Sequence, residues 1–400
     1  MDHKLPKILF FMPDTTDMGR STVDGPTNDA INIAKSFADS NVPAIFIFNG
    51  HSDIFEKFRQ TGIDVRRIEM PVSGVKQHFN PFYRRRFSRR LATLIEDEEI
   101  EVLHLGHKAS YILDYLKNSN VFKVTLQPAS TPGFEPIALF PHGIPFHPKT
   151  ILKSWYRKYV QLNHTNADLV FSPGDAAREA TIRTYGVKPE RVRVMRVASP
   201  EQIPSSKRGV IRQEFGIGES EKVILTVGRI TKAKGVEDIG EVSKILASRG
   251  RKYRFLFAGY EREEAYSTRI REKYGEFVTF IGHRWDIANA FADADLIAHL
   301  SHREGTPLAV IESLEFGLPC VAWDLPGVSA DVEDGVTGRA VQFGDHAAAA
   351  DAVEEILEQT KTWETFSEGA RKRFTRFSID DYAGRLLTAY ETGQRALSGS

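Results

Sequence analysis

The chain has 400 residues, of which 41% are apolar and 26% are charged; this composition is typical of a soluble globular protein with two domains and excludes a disordered or fibrous one. The single cysteine, Cys320, excludes an internal disulfide framework, and its apolar neighbours predict a buried core thiol rather than a nucleophile. Net charge is zero, but residues 1–200 carry +6 and residues 201–400 carry −6, which suggests an anionic partner for the first half.

Short apolar runs rich in Ile, Val and Phe alternate with longer stretches of helical spacing, and the pattern occurs twice along the chain. In the first half the predicted strands are residues 8–12, 43–48, 101–105, 122–127 and 168–171. In the second half they are residues 222–227, 253–258, 277–281, 295–300 and 318–323. Because strands separated by helices form parallel sheets covered on both faces, the chain is predicted to be an α/β protein with two doubly wound, Rossmann-like domains.

The boundary between the two series is a polar, proline-containing segment without periodicity, residues 199–208, which is interpreted as a linker. It separates a first domain, 1–198, from a second, 209–378, and an amphipathic helix over 379–400 follows with no strand after it. Ligands of such folds bind at the carboxyl ends of the strands, so functional residues are expected directly after strands.

One such segment follows the predicted strand 295–300 and begins at Glu304. Thr306 suits a helix N-cap, Pro307 the first helical position and Gly317 the position just past the helix end. A helix N-terminus at the end of a strand favours binding of an anion such as a diphosphate. One interpretation is that Glu304 and Glu312 bind partners such as sugar hydroxyls. The alternative is that Glu304 is a glutamate favoured at the helix N-terminus by the helix dipole and that Glu312 is solvated.

A second segment follows the first strand of this half and contains Arg229 and Lys234. A guanidinium and an ammonium at the mouth of a strand suit two phosphates and the charge that grows on a departing diphosphate. The alternative is that both are solvated loop residues.

Together these segments resemble a known family. The residues Gly228, Arg229, Lys234 and Gly235, followed by Glu304 and by Glu312 eight positions later, are similar to the C-terminal half of the retaining GT-B glycosyltransferases of the family 4, or glycosyl transferases group 1, type. The resemblance implies two domains facing across a cleft, with the acceptor bound by the first and a nucleotide sugar by the second. It also implies that the 379–400 helix returns to the first domain.

The resemblance further assigns roles. It implies that Glu304 is a catalytic residue that contacts the donor sugar, that Glu312 contacts the ribose, and that Arg229 and Lys234 bind the diphosphate. The backbone of Gly305, Thr306, Pro307 and Leu308 would hold sugar and phosphate, and His283 would lie near the nucleobase. Such enzymes retain anomeric configuration and need neither a cofactor nor a catalytic metal. Asp293 and Asp295 spell a D-x-D sequence but are interpreted as structural.

In the first half, the loop after the first strand contains Gly25, which would allow close backbone approach to the donor, with Asp24 and Asn28 as acceptor contacts. The alternative is that this loop is a simple turn and helix cap. The family often has a histidine facing the reacting sugar; His107 is favoured as that catalytic residue over His104, which falls on a predicted strand. The proline-rich stretch 128–149, which includes His142, is a candidate for acceptor recognition or a packing loop.

Five arginines between Arg84 and Arg90 stand among aromatic residues. They either contact a phosphorylated acceptor or an anionic membrane, or form a solvated face that balances the acidic residues 96–99. Nucleic-acid binding is not expected, because no broader basic excess supports it. The sequence has no signal peptide and no apolar stretch of about 18 residues, so we expect a cytoplasmic protein, free or peripheral at the inner face of the membrane.

The sequence thus predicts a glycosyltransferase whose acceptor is a small molecule, a glycan or a lipid-linked compound. Two alternatives stay open: a non-catalytic GT-B-like protein that binds nucleotide or glycan, and a nucleotide-sugar epimerase or hydrolase on the same fold. Neither the nucleobase nor the sugar follows from the sequence.

Overall fold

The computed structural model describes residues 4–12, 25–68, 81–106, 109–126, 163–199, 203–261 and 264–398. The chain divides into two compact units, of which the first combines Met1–Ala198 with Ile379–Ser400 and the second is Ser199–Ser378. Each unit is built on one parallel sheet with helices. The prediction of two doubly wound α/β domains is therefore confirmed.

The first unit contains a seven-stranded sheet. Its strands are β1 (Ile8–Met12), β2 (Ala44–Phe48), β3 (Asp64–Arg66), β4 (Val102–Leu105), β5 (Phe122–Leu126), β6 (Leu169–Ser172) and β7 (Val192–Val194). Its described α-helices before the second unit are α1 (Gly25–Asp39), α2 (Ser52–Arg59), α3 (Pro81–Asp97) and α4 (Asp175–Tyr185). The strand order is β3-β2-β1-β4-β5-β6-β7.

The second unit contains a six-stranded sheet. Its strands are β8 (Val223–Val227), β9 (Arg254–Ala258), β10 (Val278–Gly282), β11 (Leu296–His299), β12 (Cys320–Trp323) and β13 (Gly338–Val341). Its helices are α5 (Val210–Glu214), α6 (Val236–Ser248), α7 (Glu264–Tyr274), α8 (Ile287–Asp293), α9 (Leu308–Glu315), α10 (His346–Glu358) and α11 (Thr360–Phe374). The strand order is β10-β9-β8-β11-β12-β13.

In both sheets the strand order reverses direction at one point. The reversal lies between β1 and β4 in the first sheet and between β8 and β11 in the second. Connections that leave the carboxyl ends of two such strands pass to opposite faces of the sheet and open a crevice, which is where ligands of doubly wound folds bind. The fold therefore directs attention to the segments that follow β8 and β11.

Apolar side chains cover both faces of each sheet and form separate clusters on each side. Cys320 lies in one of these clusters, fully buried, and burial raises the pKa of its thiol. The interpretation of Cys320 as a core residue is confirmed, since a thiol with a raised pKa is a poor nucleophile.

The chain ends in a helix, α12 (Tyr382–Ser398). Its buried residues Tyr382, Leu386 and Tyr390 belong to a core cluster of the first unit. The Tyr390 hydroxyl lies 2.7 Å from Nδ1 of His104, which is fully buried on β4. None of the described helices combines the length and the low charge that crossing a bilayer requires.

The described part of the segment 199–208 is held by the second unit. The Ile203 backbone N–H donates to the Glu315 carboxylate at 2.8 Å, and the Lys207 N–H donates to the Asn289 side chain at 2.7 Å. Side chains of the second unit thus satisfy two backbone donors of this segment that would otherwise be left to water.

Candidate active site

Two loops meet at the strand-order reversal of the second unit. The first, residues 228–235, follows β8, and the second, residues 300–307, follows β11. The two strands pair directly, with Leu225 opposite Ile297. Because the carboxyl ends of paired parallel strands lie side by side, the loop that carries Arg229 and Lys234 and the loop that carries Glu304 leave the sheet together.

Gly235 sets how closely the two loops approach. Its φ of +63° lies in the left-handed region, and a Cβ atom built there would stand 1.8 Å from the Leu300 carbonyl oxygen. No residue with a side chain fits this position without moving the backbone. The glycine of the Lys-Gly pair therefore lets the turn Lys232–Lys234 rest directly on the second loop.

This approach brings Lys234 and Glu304 together. The Lys234 ammonium lies 2.5 Å from a Glu304 carboxylate oxygen, and the two side chains are only 22% and 11% exposed. Burial alone would raise the pKa of Glu304, but the charge of Lys234, the neighbouring His299 and hydrogen bonds from Lys234 and Ser301 outweigh burial and lower it. Glu304 is thus a buried, ionised carboxylate at neutral pH.

His299, the last residue of β11, was missed by sequence reasoning. Its Nε2 atom lies 3.5 Å from the same Glu304 oxygen and has no hydrogen-bond partner among the described residues. Burial lowers the pKa of His299 to about 4, so the ring is neutral at physiological pH. It brings a potential N–H donor beside Glu304 without adding a second charge.

Arg229, the other predicted phosphate ligand, is half-buried in the loop after β8. In the described part of the chain no hydrogen bond or ion pair engages its guanidinium. Arg229 differs in this respect from Lys234, whose ammonium is bound to Glu304. Of the two predicted phosphate ligands in this loop, Lys234 is therefore paired within the described chain and Arg229 is not.

The start of α9 differs by one residue from the prediction. The helix begins at Leu308, so Pro307 is the N-cap and Thr306 precedes it. The expectation of Thr306 as N-cap with Pro307 at the first helical position is wrong, because the Pro307 ψ of 84° is not helical and its carbonyl accepts the first helical hydrogen bonds, from Val310 and Ile311. Gly305 is buried at the same turn.

Further along α9, Glu312 is half-buried one turn inside the helix. The helix ends where it was expected to end: Phe316 is the C-cap and Gly317, with φ of +66°, follows it.

Aromatic side chains gather after the neighbouring strands β9 and β10. Exposed His283 packs edge-on against Trp285 with ring centroids 4.8 Å apart, and half-buried Tyr260 lies 6.3 Å away. Trp285 is 67% exposed. Arg284 donates to Glu214 at 2.7 Å, which fixes the turn that carries these rings. A flat ligand could stack here.

The D-x-D carboxylates are engaged in the scaffold. Asp293 accepts hydrogen bonds from the backbone N–H groups of Ile211 and Arg212 at the start of α5, at 2.8 and 3.1 Å. Asp295 accepts from the Arg212 guanidinium at 3.0 Å and from the Val223 N–H at 2.8 Å. Both therefore have structural partners.

The candidates of the first unit are only partly covered. Asp24, His107 and His142 lie outside the described residues. Gly25 begins α1 and Asn28 is half-buried on that helix. The described chain around the gaps places the end of β1 beside the end of β4, with Phe11 opposite Leu105.

His104, the alternative to His107, is a core residue. Its ring packs against Phe10 and Phe171, and burial lowers its pKa to about 3.

Two family models match the chain in succession. Residues 23–196 match Glycosyltransferase Family 4, and residues 207–373 match Glycosyl transferases group 1. The chain belongs to the family 4 type of glycosyltransferases. The second match contains both loops of the candidate active site, from Arg229 to Glu312.

Parts of the chain are also similar to individual relatives. The chain is 26% identical over 184 residues to N-acetyl-alpha-D-glucosaminyl L-malate synthase of Bacillus anthracis, covering 46% of this chain and 47% of the relative. It is 28% identical over 205 residues to alpha-D-kanosaminyltransferase of Streptomyces kanamyceticus, covering 49% and 53%. The chain thus spans about half the length of these two relatives.

The fold also resembles solved structures. The structure of Anabaena HepE in complex with UDP and glucose superposes with a TM-score of 0.73 and 19% identity, over 97% of this chain and 100% of that one. At this identity the likeness shows that the family 4 chain has the GT-B fold.

Proposed function

We propose that the chain transfers a sugar from a nucleoside diphosphate sugar to an acceptor hydroxyl, with retention of anomeric configuration and without a catalytic metal. The observation that carries the proposal is the Lys234–Glu304 pair at the strand-order reversal of the second unit. It combines a buried carboxylate for sugar hydroxyls with cations for a diphosphate, and Arg229 adds a guanidinium without a described partner.

In the proposed reaction, the bond between the anomeric carbon and the β-phosphate oxygen breaks and its electron pair stays with the nucleoside diphosphate. The acceptor oxygen bonds to the anomeric carbon on the same face, and its proton passes to the departing phosphate. Arg229 and Lys234 stabilise the growing negative charge. Glu304, held ionised, accepts hydrogen bonds from the donor sugar.

The remaining site residues take supporting roles in this proposal. Glu312 accepts from the ribose, and the aromatic group around His283 borders the nucleobase. The backbone of residues 305–308 holds the sugar and phosphate. In the first unit, His107 is proposed to contact the reacting sugar. Asp24 and His142 are proposed to contact the acceptor. The engagement of Asp293 and Asp295 within the scaffold supports a reaction without a metal at this D-x-D sequence.

We also propose that α3 contacts an anionic membrane surface. Arg85, Arg86 and Arg89 are exposed along one side of the helix, and no ion pair joins them to any described residue. Phe82, on the same side, is 83% exposed. Of the acidic residues 96–99, Glu98 is engaged elsewhere, because it binds Lys7 at 2.8 Å and Arg66 at 2.6 Å. Unpaired arginines beside an exposed aromatic ring suit lipid headgroups.

The proposed transfer is tested first by binding. UDP, GDP and ADP, with their glucose or mannose conjugates, are added to the protein while thermal unfolding is followed, since a ligand of the folded state must raise its stability. One base family should stabilise the wild type. In Arg229→Gln the affinity for that nucleotide should fall about tenfold, the lower range for a hydrogen bond to a charged group. Lys252→Gln, which removes a charge at the opposite edge of the sheet, is the matched control.

Turnover is tested with the same donor. Glu304→Gln keeps an acceptor for Lys234 but removes the charge, so sugar release or transfer should fall about 100-fold while nucleotide affinity changes little. Undiminished turnover would contradict the role of Glu304. Product analysis separates the alternatives: an epimerase returns an isomeric donor, a hydrolase releases only free sugar whatever acceptor is added, and a non-catalytic protein leaves the donor unchanged.

A further inference from the structure

Asp238 is a carboxylate held by two histidines. It lies in the first turn of α6 and is 13% exposed. One of its oxygens is 2.6 Å from Nε2 of His302 and the other is 2.8 Å from Nε2 of His346. An ionised carboxylate only accepts hydrogen bonds, so each histidine carries a hydrogen on Nε2 that points at Asp238.

The three residues come from three different connections at the same edge of the sheet. Asp238 follows the loop after β8, His302 belongs to the loop after β11, and His346 begins α10 after β13. Two of these connections carry candidate site residues: Lys234 precedes Asp238 by four residues, and Glu304 follows His302 by two. One carboxylate therefore links the basic loop, the Glu304 loop and a helix that carries no candidate residue.

His302 is tied to the basic loop twice. Besides its ring contact with Asp238, its backbone N–H donates to the Ala233 carbonyl at 3.0 Å. The Lys234–Glu304 contact is thus flanked by a backbone bond on one side and a side-chain bond on the other. Loss of the ring contact would leave the short segment before Glu304 held by fewer restraints, which matters because a site loop displaced by about 1 Å is a common cause of lost activity.

Aromatic packing fixes the orientation of both rings. His302 meets Phe343 edge-on with centroids 5.2 Å apart, and His346 meets the fully buried Trp323 at 5.7 Å. Each imidazole is therefore restrained by a neighbouring aromatic ring and at Nε2. This arrangement restricts the carboxylate to one position relative to the sheet.

We infer that Asp238 is a positioning residue of the donor site, which acts through His302 to hold the Glu304 loop in register with Lys234, while His346 braces the carboxylate. The inference rests on the proposed function, because it concerns the sugar that Glu304 would bind. It assigns a role to residues outside the motif that identified the site. Its signature is a change in recognition of the sugar rather than of the nucleotide.

The experiment compares two amides at position 302. In His302→Gln the side-chain nitrogen falls close to the place of Nε2 and can still donate to Asp238, whereas in His302→Asn it falls near Nδ1 and cannot reach. The ligands are one nucleoside diphosphate and its sugar conjugate, chosen from UDP and UDP-glucose, GDP and GDP-mannose, and ADP and ADP-glucose as the pair that most stabilises the wild type. Their affinities are measured by calorimetry. The readout is the affinity for the sugar conjugate divided by the affinity for the nucleoside diphosphate, which isolates the contribution of the sugar to binding.

In His302→Asn we expect this ratio to fall about tenfold, in line with loss of a hydrogen bond to a charged group, and in His302→Gln to stay within about threefold. His346→Asn is the matched control, because it makes the same change on the same carboxylate away from the Glu304 loop; its ratio should stay within about threefold. Asp238→Asn, whose amide oxygen can serve only one histidine, should be intermediate.

Other outcomes overturn the inference. A wild-type affinity ratio in His302→Asn would show that the His302–Asp238 contact does not position the Glu304 loop. An equal fall of the ratio in His346→Asn or in His302→Gln would show that these side chains contribute to packing and do not position that loop specifically. A loss of nucleotide and sugar affinity in parallel with a lower melting temperature would mean general destabilisation. If no ligand stabilises the wild type, the proposed function fails, a result distinct from any of these variant results.

Discussion

Asp29 is a buried acid on α1, in the first unit. It is 4% exposed; one oxygen accepts a hydrogen bond from the Tyr382 hydroxyl at 3.0 Å, and the other has no partner among the described residues. Burial raises the pKa of Asp29 from 3.8 to about 7, although the Tyr382 bond and the charge of Arg385 oppose the rise. The folded chain therefore keeps a proton that the unfolded chain has already released.

The sign of the pH dependence follows from this difference. Between about pH 4 and pH 7 the folded state binds more protons at Asp29 than the unfolded state, so its contribution to stability falls as pH rises through that window. Asp29→Asn cannot titrate and keeps an acceptor for Tyr382. We expect the free energy of unfolding of this variant, relative to wild type, to increase by about 2 to 3 kcal/mol from pH 5 to pH 8.

The measurement is urea unfolding of the first unit at pH 5, 6, 7 and 8. Asp39→Asn, at the exposed end of the same helix, is the control and should differ from wild type by a constant amount. A difference between Asp29→Asn and wild type that does not change with pH would contradict the raised pKa.

At the scale of single residues, the sequence identified those parts of the site whose chemistry lies in local spacing. Arg229, Lys234 and Glu304 stand directly after apolar runs, where doubly wound folds bind ligands. The partners of Glu304 and Asp238 could not be found in this way. His299 falls inside a predicted strand, where a histidine is usually a core residue, and Asp238 in a first helical turn is already explained by the helix dipole.

At the scale of elements, the sequence predicted the strands inside each sheet and the edge strand β10, and it missed β3, β7 and β13. All three lie at a sheet edge. An edge strand pairs on one side only and need not be apolar: β3 reads Asp-Val-Arg and β7 reads Val-Arg-Val, with partly exposed side chains. Three or four residues without an apolar run give no periodic signal, so only pairing with a neighbour defines these strands.

Helix α3 is the element whose surface is most readily tested. The proposed membrane contact depends on Arg85, Arg86 and Arg89, so the triple change of these residues to Gln should weaken binding to phosphatidylglycerol-containing vesicles. At about 1 kcal/mol for each arginine near an anionic surface, the expected loss is about 100-fold. Sedimentation with vesicles at low ionic strength measures it, and Phe82→Ser should weaken binding further without changing its salt dependence.

The control removes the same charge from elsewhere in the first unit. Lys35, Lys117 and Lys188 are exposed and scattered, and their triple change to Gln lowers net charge equally. If this control lost as much binding as the arginine variant, attraction would be a property of total charge and not of α3. Equal binding of wild type to phosphatidylcholine vesicles would exclude an electrostatic contact.

At the scale of the whole molecule, the two units differ in how the chain builds them. The second is continuous, Ser199–Ser378, whereas the first is completed by Ile379–Ser400. The returning helix α12 inserts Tyr382, Leu386 and Tyr390, each at most 1% exposed, into the core of the first unit. Removal of these side chains would open a cavity for which neighbouring groups can compensate only in part.

Truncation after Ser378 should therefore affect the units unequally. Loss of even one large buried side chain costs about 2 to 5 kcal/mol, so loss of three should unfold the first unit near room temperature or abolish its folding. The second unit keeps both of its core clusters and both loops of the candidate site. Calorimetric scans of the truncated chain should show one transition near that of the second unit, and the nucleotide that stabilises the full chain should still raise it. If the transition survived without responding to nucleotide, nucleotide binding would require residues of the first unit, and the proposal that the second unit supplies the main nucleotide contacts would have to be abandoned.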